Sequence, residues 1–160
     1  KSGDFETLTK HLTNLVDDDN KVWGETRYCE NNTVNMILTM YKRRASQNGI
    51  SVKISAKASG SLAVPPQDLV VVIANLFENA INEVANLKSK EGYIDIQIKD
   101  SPERLLIKID NPCRANLTFD ENLYGIGIRS VISTTSKYEG MYDFCAEDGV
   151  FSAKIILNLK

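Results

Sequence analysis

A chain of 160 residues, 42% hydrophobic and 25% charged with a net charge of -2, is long enough for one domain with a core of its own and needs no disulfide or metal staple. That near-neutral balance, with no run of Lys and Arg on one segment, leaves no electrostatic footprint for nucleic acid. The longest apolar stretch, Leu69 to Phe77, is far too short to cross a bilayer, and three widely spaced cysteines, Cys29, Cys113 and Cys145, argue for a reducing compartment rather than a disulfide framework.

Along the chain, Asp4 is a helix cap, and Leu8, Leu12, Leu15 and Val16 recur at helical spacing to about Val22. This apolar seam suits half of a helical hairpin or a dimer interface. Asp17-Asp18-Asp19 lacks the alternation and closing Glu of a calcium loop. Thr26 to Cys29 reads as a short strand, and Asn32-Thr33 as the cap of a helix through Val34, Ile37, Leu38, Tyr41 and Ala45, stopped by Asn48-Gly49. Ile50, Val52, Ile54 and Ala56 alternate as a half-buried strand. A loop with Pro65-Pro66 leads into a helix over 69–88.

Two strands, Tyr93 to Ile98 and Leu105 to Ile109, form a hairpin about Asp100-Ser101-Pro102-Glu103. A polar loop then runs from Asp110 to Leu123, and Tyr124-Gly125-Ile126-Gly127-Ile128 opens a helix. A closing hairpin over 140–146 and 150–159 turns at Glu147-Asp148-Gly149. This order predicts an α+β domain of two layers, one mixed sheet with its helices on a single face.

The helix over 69–88 is apolar on almost every side yet carries Asn75, Asn79, Asn82 and Asn86. At about 100° per residue these fall within roughly 60° of arc, a single amide stripe. A buried amide without partners costs roughly 1–3 kcal/mol, and a solvated stripe would favour Lys, Glu, Gln and Arg, better helix formers than Asn. The stripe therefore points to a cleft whose occupant uses neutral oxygens and NH2 donors. Gly125-Ile126-Gly127 lets backbone approach a ligand closely, and the helix it opens offers free N–H groups to phosphate. It is not a Rossmann fingerprint, because Ser130 stands where a third glycine belongs. No Cys and His spacing resembles a zinc site, and nucleophilic catalysis would have to run through His11, the only histidine.

Taken together, these motifs resemble the Bergerat-type (GHKL) nucleotide fold. Asn75-Leu76-Phe77-Glu78-Asn79-Ala80 looks like its N-box, Asn111-Pro112-Cys113 stands where the first glycine box belongs, and Tyr124 to Ile128 looks like the second. A narrower likeness covers nearly the whole chain. Arg27-Tyr28-Cys29, the Asn35 helix, Gly125 to Val131 and Glu147 to Phe151 resemble the catalytic domains of quorum-sensing, accessory-gene-regulator-like sensor histidine kinases.

The resemblance implies residues 1–24 as the second helix of a dimerisation hairpin and residues 25–160 as the ATP-binding domain. It implies that Asn79 holds Mg2+, that Asn75 and Asn82 line the same cleft, that Asn111 meets the base, and that Gly125, Gly127 and Ile128 meet the phosphates. Asn86 would lie past the ligand, and Glu78 could orient a water. The acceptor histidine would lie upstream of Lys1, so His11 is not it and no catalytic nucleophile is expected. Implied partners are ATP, the upstream dimerisation helix of the same chain or a dimer mate, and a response regulator, in a cytoplasmic part of a membrane-anchored homodimer. Two departures stand out: Asn111 replaces the usual Asp with Pro112 and Cys113 replacing glycines, and the lid, Arg114 to Leu123, is short, with Phe119 and Leu123 its bulky apolar residues. Rival readings are a degenerate nucleotide fold that only docks, or a serine kinase of the anti-sigma type.

Overall fold

The computed structural model describes residues 26–88, 91–115, 117, 122 and 124–160. The expected helix over 4–22, His11, Phe119 and Leu123 lie outside the described residues. Among the described residues eight elements follow in order: α1 (Asn32–Gln47), β1 (Ser51–Lys57), α2 (Pro66–Asn86), β2 (Tyr93–Asp100), β3 (Arg104–Pro112), α3 (Ile126–Lys137), β4 (Met141–Glu147) and β5 (Val150–Asn158). The strands form one mixed sheet in the order β1-β2-β3-β5-β4. Only β1 and β2 are parallel, joined by α2 as the crossover that a parallel pair requires. The architecture is α+β, as the element order predicts.

Strict alternation places the core. Ile94, Ile96 and Ile98 on β2, Leu105, Ile107 and Ile109 on β3, and Phe151, Ala153, Ile155 and Leu157 on β5 are buried on the face that meets the helices. One contiguous cluster joins them to Val34, Ile37 and Leu38 of α1 and to Leu69, Ile73, Leu76 and Phe77 of α2. Each fully buried aliphatic or aromatic side chain contributes about 1.5–3 kcal/mol.

Three expectations are corrected. Thr26–Cys29 is not a strand, because its N–H groups already have a partner: Tyr28 and Cys29 donate to Asn35 Oδ1 at 2.8 and 3.0 Å, and Asn35 Nδ2 donates back to the Cys29 carbonyl. The cap of α1 is Asn31, one residue earlier than expected, accepting from the Val34 N–H at 3.0 Å. Finally, β3 continues through Asn111 and Pro112, which pair with Phe151 and Val150, so the polar loop starts only after Cys113. The closing turn needs two residues of positive φ, and Asp148 (51°) and Gly149 (74°) supply them. The three cysteines are all unpaired, as expected.

A polar latch sets α2 against α3. Asp68, in the first turn of α2, accepts from Lys137 Nζ at 2.8 Å and from the Tyr138 hydroxyl at 2.5 Å, both at the end of α3. Burial pushes the Asp68 carboxyl up, but the bonds from Lys137 and Tyr138 and the lysine charge outweigh it and leave the carboxyl below its ordinary range. Burial and the same carboxylate raise the Tyr138 phenol. A depressed carboxyl stabilises the fold above its unfolded pKa and ceases to do so as pH falls through the folded value. Urea unfolding of wild type and Asp68→Asn should therefore differ by about 1–3 kcal/mol at pH 7 and converge as pH falls below the ordinary carboxyl range. A difference undiminished at the lower pH would refute the latch.

Candidate nucleotide site

The site is built on α2. Pro66 opens the helix at a position where a missing N–H costs nothing, and Leu69, Val70, Val72, Ile73, Ala74, Leu76, Phe77, Ala80, Ile81 and Val84 are all buried. That leaves a narrow polar face. Asn75 and Asn79 are half-buried on it, while Asn82 and Asn86 further along are exposed. Asn75 Nδ2 donates to the Val71 carbonyl at 2.6 Å, which leaves its Oδ1 turned outward from the helix.

Gly127 stands against that oxygen. A Cβ built on Gly127 would come 2.8 Å from Asn75 Oδ1 and 3.4 Å from its Cγ, so any side chain at 127 would collide with the amide. Asn75 and Gly127 therefore face one another where α3 begins. Gly125 caps α3 in extended conformation, with no side-chain capping bond and no acidic residue in the first turn. The first helical bond runs from the Arg129 N–H to the Gly125 carbonyl at 3.1 Å, so the N–H groups of Ile126, Gly127 and Ile128 are the unpaired donors of a helix start, at its positive dipole end. Ile128 is 6% exposed, so its side chain packs in the core and only its backbone can serve the site.

Asn111 is the buried polar group of the sheet end, with no exposed surface. Its Nδ2 donates to the Pro112 carbonyl at 2.9 Å, and its Oδ1 is buried without a partner. An acceptor left unpaired in this way costs about 1–3 kcal/mol until a donor meets it. It lies on β3, against which α2 packs. Just beyond, Cys113 is held by its N–H to the Gly149 carbonyl at 2.8 Å, and Arg114 Nε reaches Glu83 Oε1 at 3.4 Å, one turn along α2 from Asn79. Burial pushes the Cys113 thiol up, and the Glu83 charge adds to it against an opposing effect of Arg114.

Glu78 has a different task from orienting a water. It accepts from Arg44 Nη1 at 2.9 Å and from the Tyr41 hydroxyl at 3.3 Å, tying α2 to α1. Burial, then the Glu78 charge and bond, push the Tyr41 phenol up to about 12. Neither this tie, the Asp68 latch nor the Arg114–Glu83 pair was visible in the sequence, since each joins residues more than 30 positions apart with no local signal.

Among the described residues no group of three or more His, Cys, Asp and Glu side chains could hold a metal ion. A cation here would rest on amide and ligand oxygens, a donor set that suits Mg2+ better than a transition metal. The orphaned Asn111 acceptor at one end and the glycine held against an amide at the other fit a ligand with a donor-bearing head and an anionic tail.

Known proteins share the family and the fold. The profile of a family described as a GHKL domain matches residues 64–158. A protein of Bacillus subtilis (strain 168) named "Probable C4-dicarboxylate sensor kinase" is 32% identical over 120 residues, which is 72% of this chain and 22% of that protein. The chain thus spans about a fifth of the length of that relative. Among solved structures, the Acinetobacter baumannii histidine kinase AdeS superposes with a TM-score of 0.64 at 16% identity, over 80% of this chain and 64% of that one. The histidine kinase domain of the Erythrobacter litoralis EL346 blue-light activated histidine kinase gives 0.66 at 13%, over 93% and 72%. The catalytic domain of histidine kinase ThkA gives 0.63 at 12%, over 79% and 90%. At these identities the structural likenesses concern the fold.

Proposed function

The chain belongs to the GHKL domain family, and from that premise we propose that it is the ATP-binding catalytic domain of a bacterial two-component sensor histidine kinase. The observation that supports the reading is the close approach of Gly127 to the Asn75 side chain, which brings one residue of the amide stripe up to the glycine-led helix start. In this reading the Asn111 Oδ1 accepts from the adenine amino group, and the backbone N–H groups of Gly125, Gly127 and Ile128 receive phosphate oxygens. Asn79 gives its amide oxygen to Mg2+, and Asn75 and Asn82 hold metal water or phosphate. Held by Asn79, magnesium would supply neutralisation of charge on the γ-phosphoryl group. The chain's own part is to bind, orient and exclude water, since phosphoryl transfer needs positioning more than covalent help.

Residues 1–24 then form the second helix of a dimerisation hairpin and 25–160 the catalytic domain. The acceptor histidine lies on the first helix, in the same chain or a dimer mate, and the phosphoryl group passes on to a response regulator. The protein acts at the cytoplasmic side of a membrane-anchored homodimer. The narrower placement among quorum-sensing kinases rests on the likeness of Arg27-Tyr28-Cys29 and Asn35, of which Tyr28 and Cys29 donate to the Asn35 amide.

The test is a calorimetric titration with ATP, with and without Mg2+. Saturable binding that tightens with the metal, together with no phosphohistidine on this chain alone, is the expected result. Failure to bind in either condition would favour the docking module instead, and a stable phosphohistidine on residues 1–160 would overturn the exclusion of His11.

A further inference from the structure

The contact of Asn75 with Gly127 rests on the backbone of residues 125–127, which the first helical bond, from the Arg129 N–H to the Gly125 carbonyl, holds from the α3 side. Gly125 has no side chain, and a Cβ placed there would meet nothing within 4 Å, so no packing at 125 fixes the path of the chain. The neighbouring Ile126 is 77% exposed and contributes as little. A glycine pays the largest conformational entropy on being ordered, and a receptor made of backbone N–H groups is worth most when it is ordered before the ligand arrives.

What anchors the segment is Tyr124. Its carbonyl accepts from Arg129 Nε at 3.1 Å, and its ring stands edge-on to Phe144 on β4, with centroids 5.8 Å apart and planes at 74°. Phe144 in turn stacks on Phe151 of β5 at 6.3 Å and 23°, and lies tilted against Tyr142 at 5.5 Å. Phe151 is 3% exposed and pairs directly with Asn111 across β3 and β5. A continuous aromatic run thus leads from the strand position that holds Asn111 to the residue that precedes Gly125. Edge-to-face and offset-stacked pairs of this kind have a defined geometry, which an aliphatic side chain of similar volume does not reproduce.

We propose that Phe144 is a positioning residue for the triphosphate end of the site, holding Tyr124 and through it the backbone of residues 125–127 in register with Asn75. This rests on the ATP-binding reading above. Phe144 is not among the residues assigned to base, phosphate or metal, and its link to the site runs through Tyr124, so its effect is expected on the phosphate-dependent part of affinity.

The experiment compares ATP and adenosine titrations, followed by NMR, for wild type, Phe144→Leu and Phe144→Tyr. The Leu variant keeps an apolar side chain without the ring and should bind ATP about three- to tenfold more weakly, with adenosine within about twofold of wild type. Phe144→Tyr restores the ring and should bring ATP affinity back to within about twofold of wild type. If Phe144→Leu weakens ATP and adenosine equally, or leaves both unchanged, or if the Tyr variant fails to rescue ATP while retaining adenosine, the positioning role is wrong. Wild type that binds adenosine and ATP equally well defeats the phosphate-loop assignment itself, and wild type that binds neither defeats the nucleotide reading on which the proposal stands.

Discussion

Asn79→Ala is expected to weaken ATP binding in Mg2+ by about tenfold or more, and to leave binding in EDTA within about twofold of wild type. The expectation follows from position. Asn79 is half-buried, one helical turn past Asn75, whose oxygen stands against Gly127. Its amide oxygen is a hard neutral donor of the kind Mg2+ takes when phosphates and water fill its other places. The variant also favours the helix, because Ala is the better helix former by roughly 0.5 kcal/mol. Calorimetric titrations in the two buffers make the measurement. A loss of equal size in Mg2+ and in EDTA would show that the amide binds nucleotide directly and is not a metal ligand.

Phe77→Ala is expected to destabilise the fold by about 3–5 kcal/mol in urea unfolding, a third or more of what a domain of this size commonly has to lose. Phe77 has no exposed surface, stacks on Tyr41 of α1 at 5.3 Å, and belongs to the cluster that joins α1, α2 and the sheet. It lies on the far side of α2 from Asn75 and Asn79, so the helix packs through Phe77 and carries the asparagines on its opposite face. Phe77→Leu, which fills more of the space, should lose less than half as much. A cost below about 1.5 kcal/mol for the Ala variant would mean that the packing around Tyr41 rearranges to fill the gap.

Much of this architecture was legible because its elements are periodic. The alternation of β2 and β5 and the apolar faces of α1 and α2 are patterns that burial imposes directly, and they appear where they were expected. The misreadings have physical causes. At Asn111-Pro112 the alternation is interrupted by a residue with no N–H, which reads as a loop. Yet β2 pairs with β3 only up to Asp110, so Pro112 meets β5 alone at the strand's end, where the missing donor is tolerated. At Tyr28-Cys29 a side-chain amide seven and six residues away takes the place of a neighbouring strand, and no pattern of hydrophobicity records that. The amide stripe and the glycines pointed to the candidate site because their residue types are poor choices for a mere surface. The ties that hold the site, Asp68 to Lys137 and Tyr138 and Glu78 to Arg44, are ordinary charged residues that gain meaning only in space.

The placement of β5 between β3 and β4 reaches beyond the finished molecule. β5 is translated after β4 but lies inside it, so a chain still on the ribosome with only the segment up to residue 147 released cannot zip β4 onto anything. Until 150–158 emerges, Ile107 and Ile109 of β3 have one flank uncovered, an adhesive surface that invites chaperones or misassociation. Phe151, the neighbour of Asn111, arrives in that same final segment, so the Asn111 end of the candidate site is completed only in the act of closing the sheet.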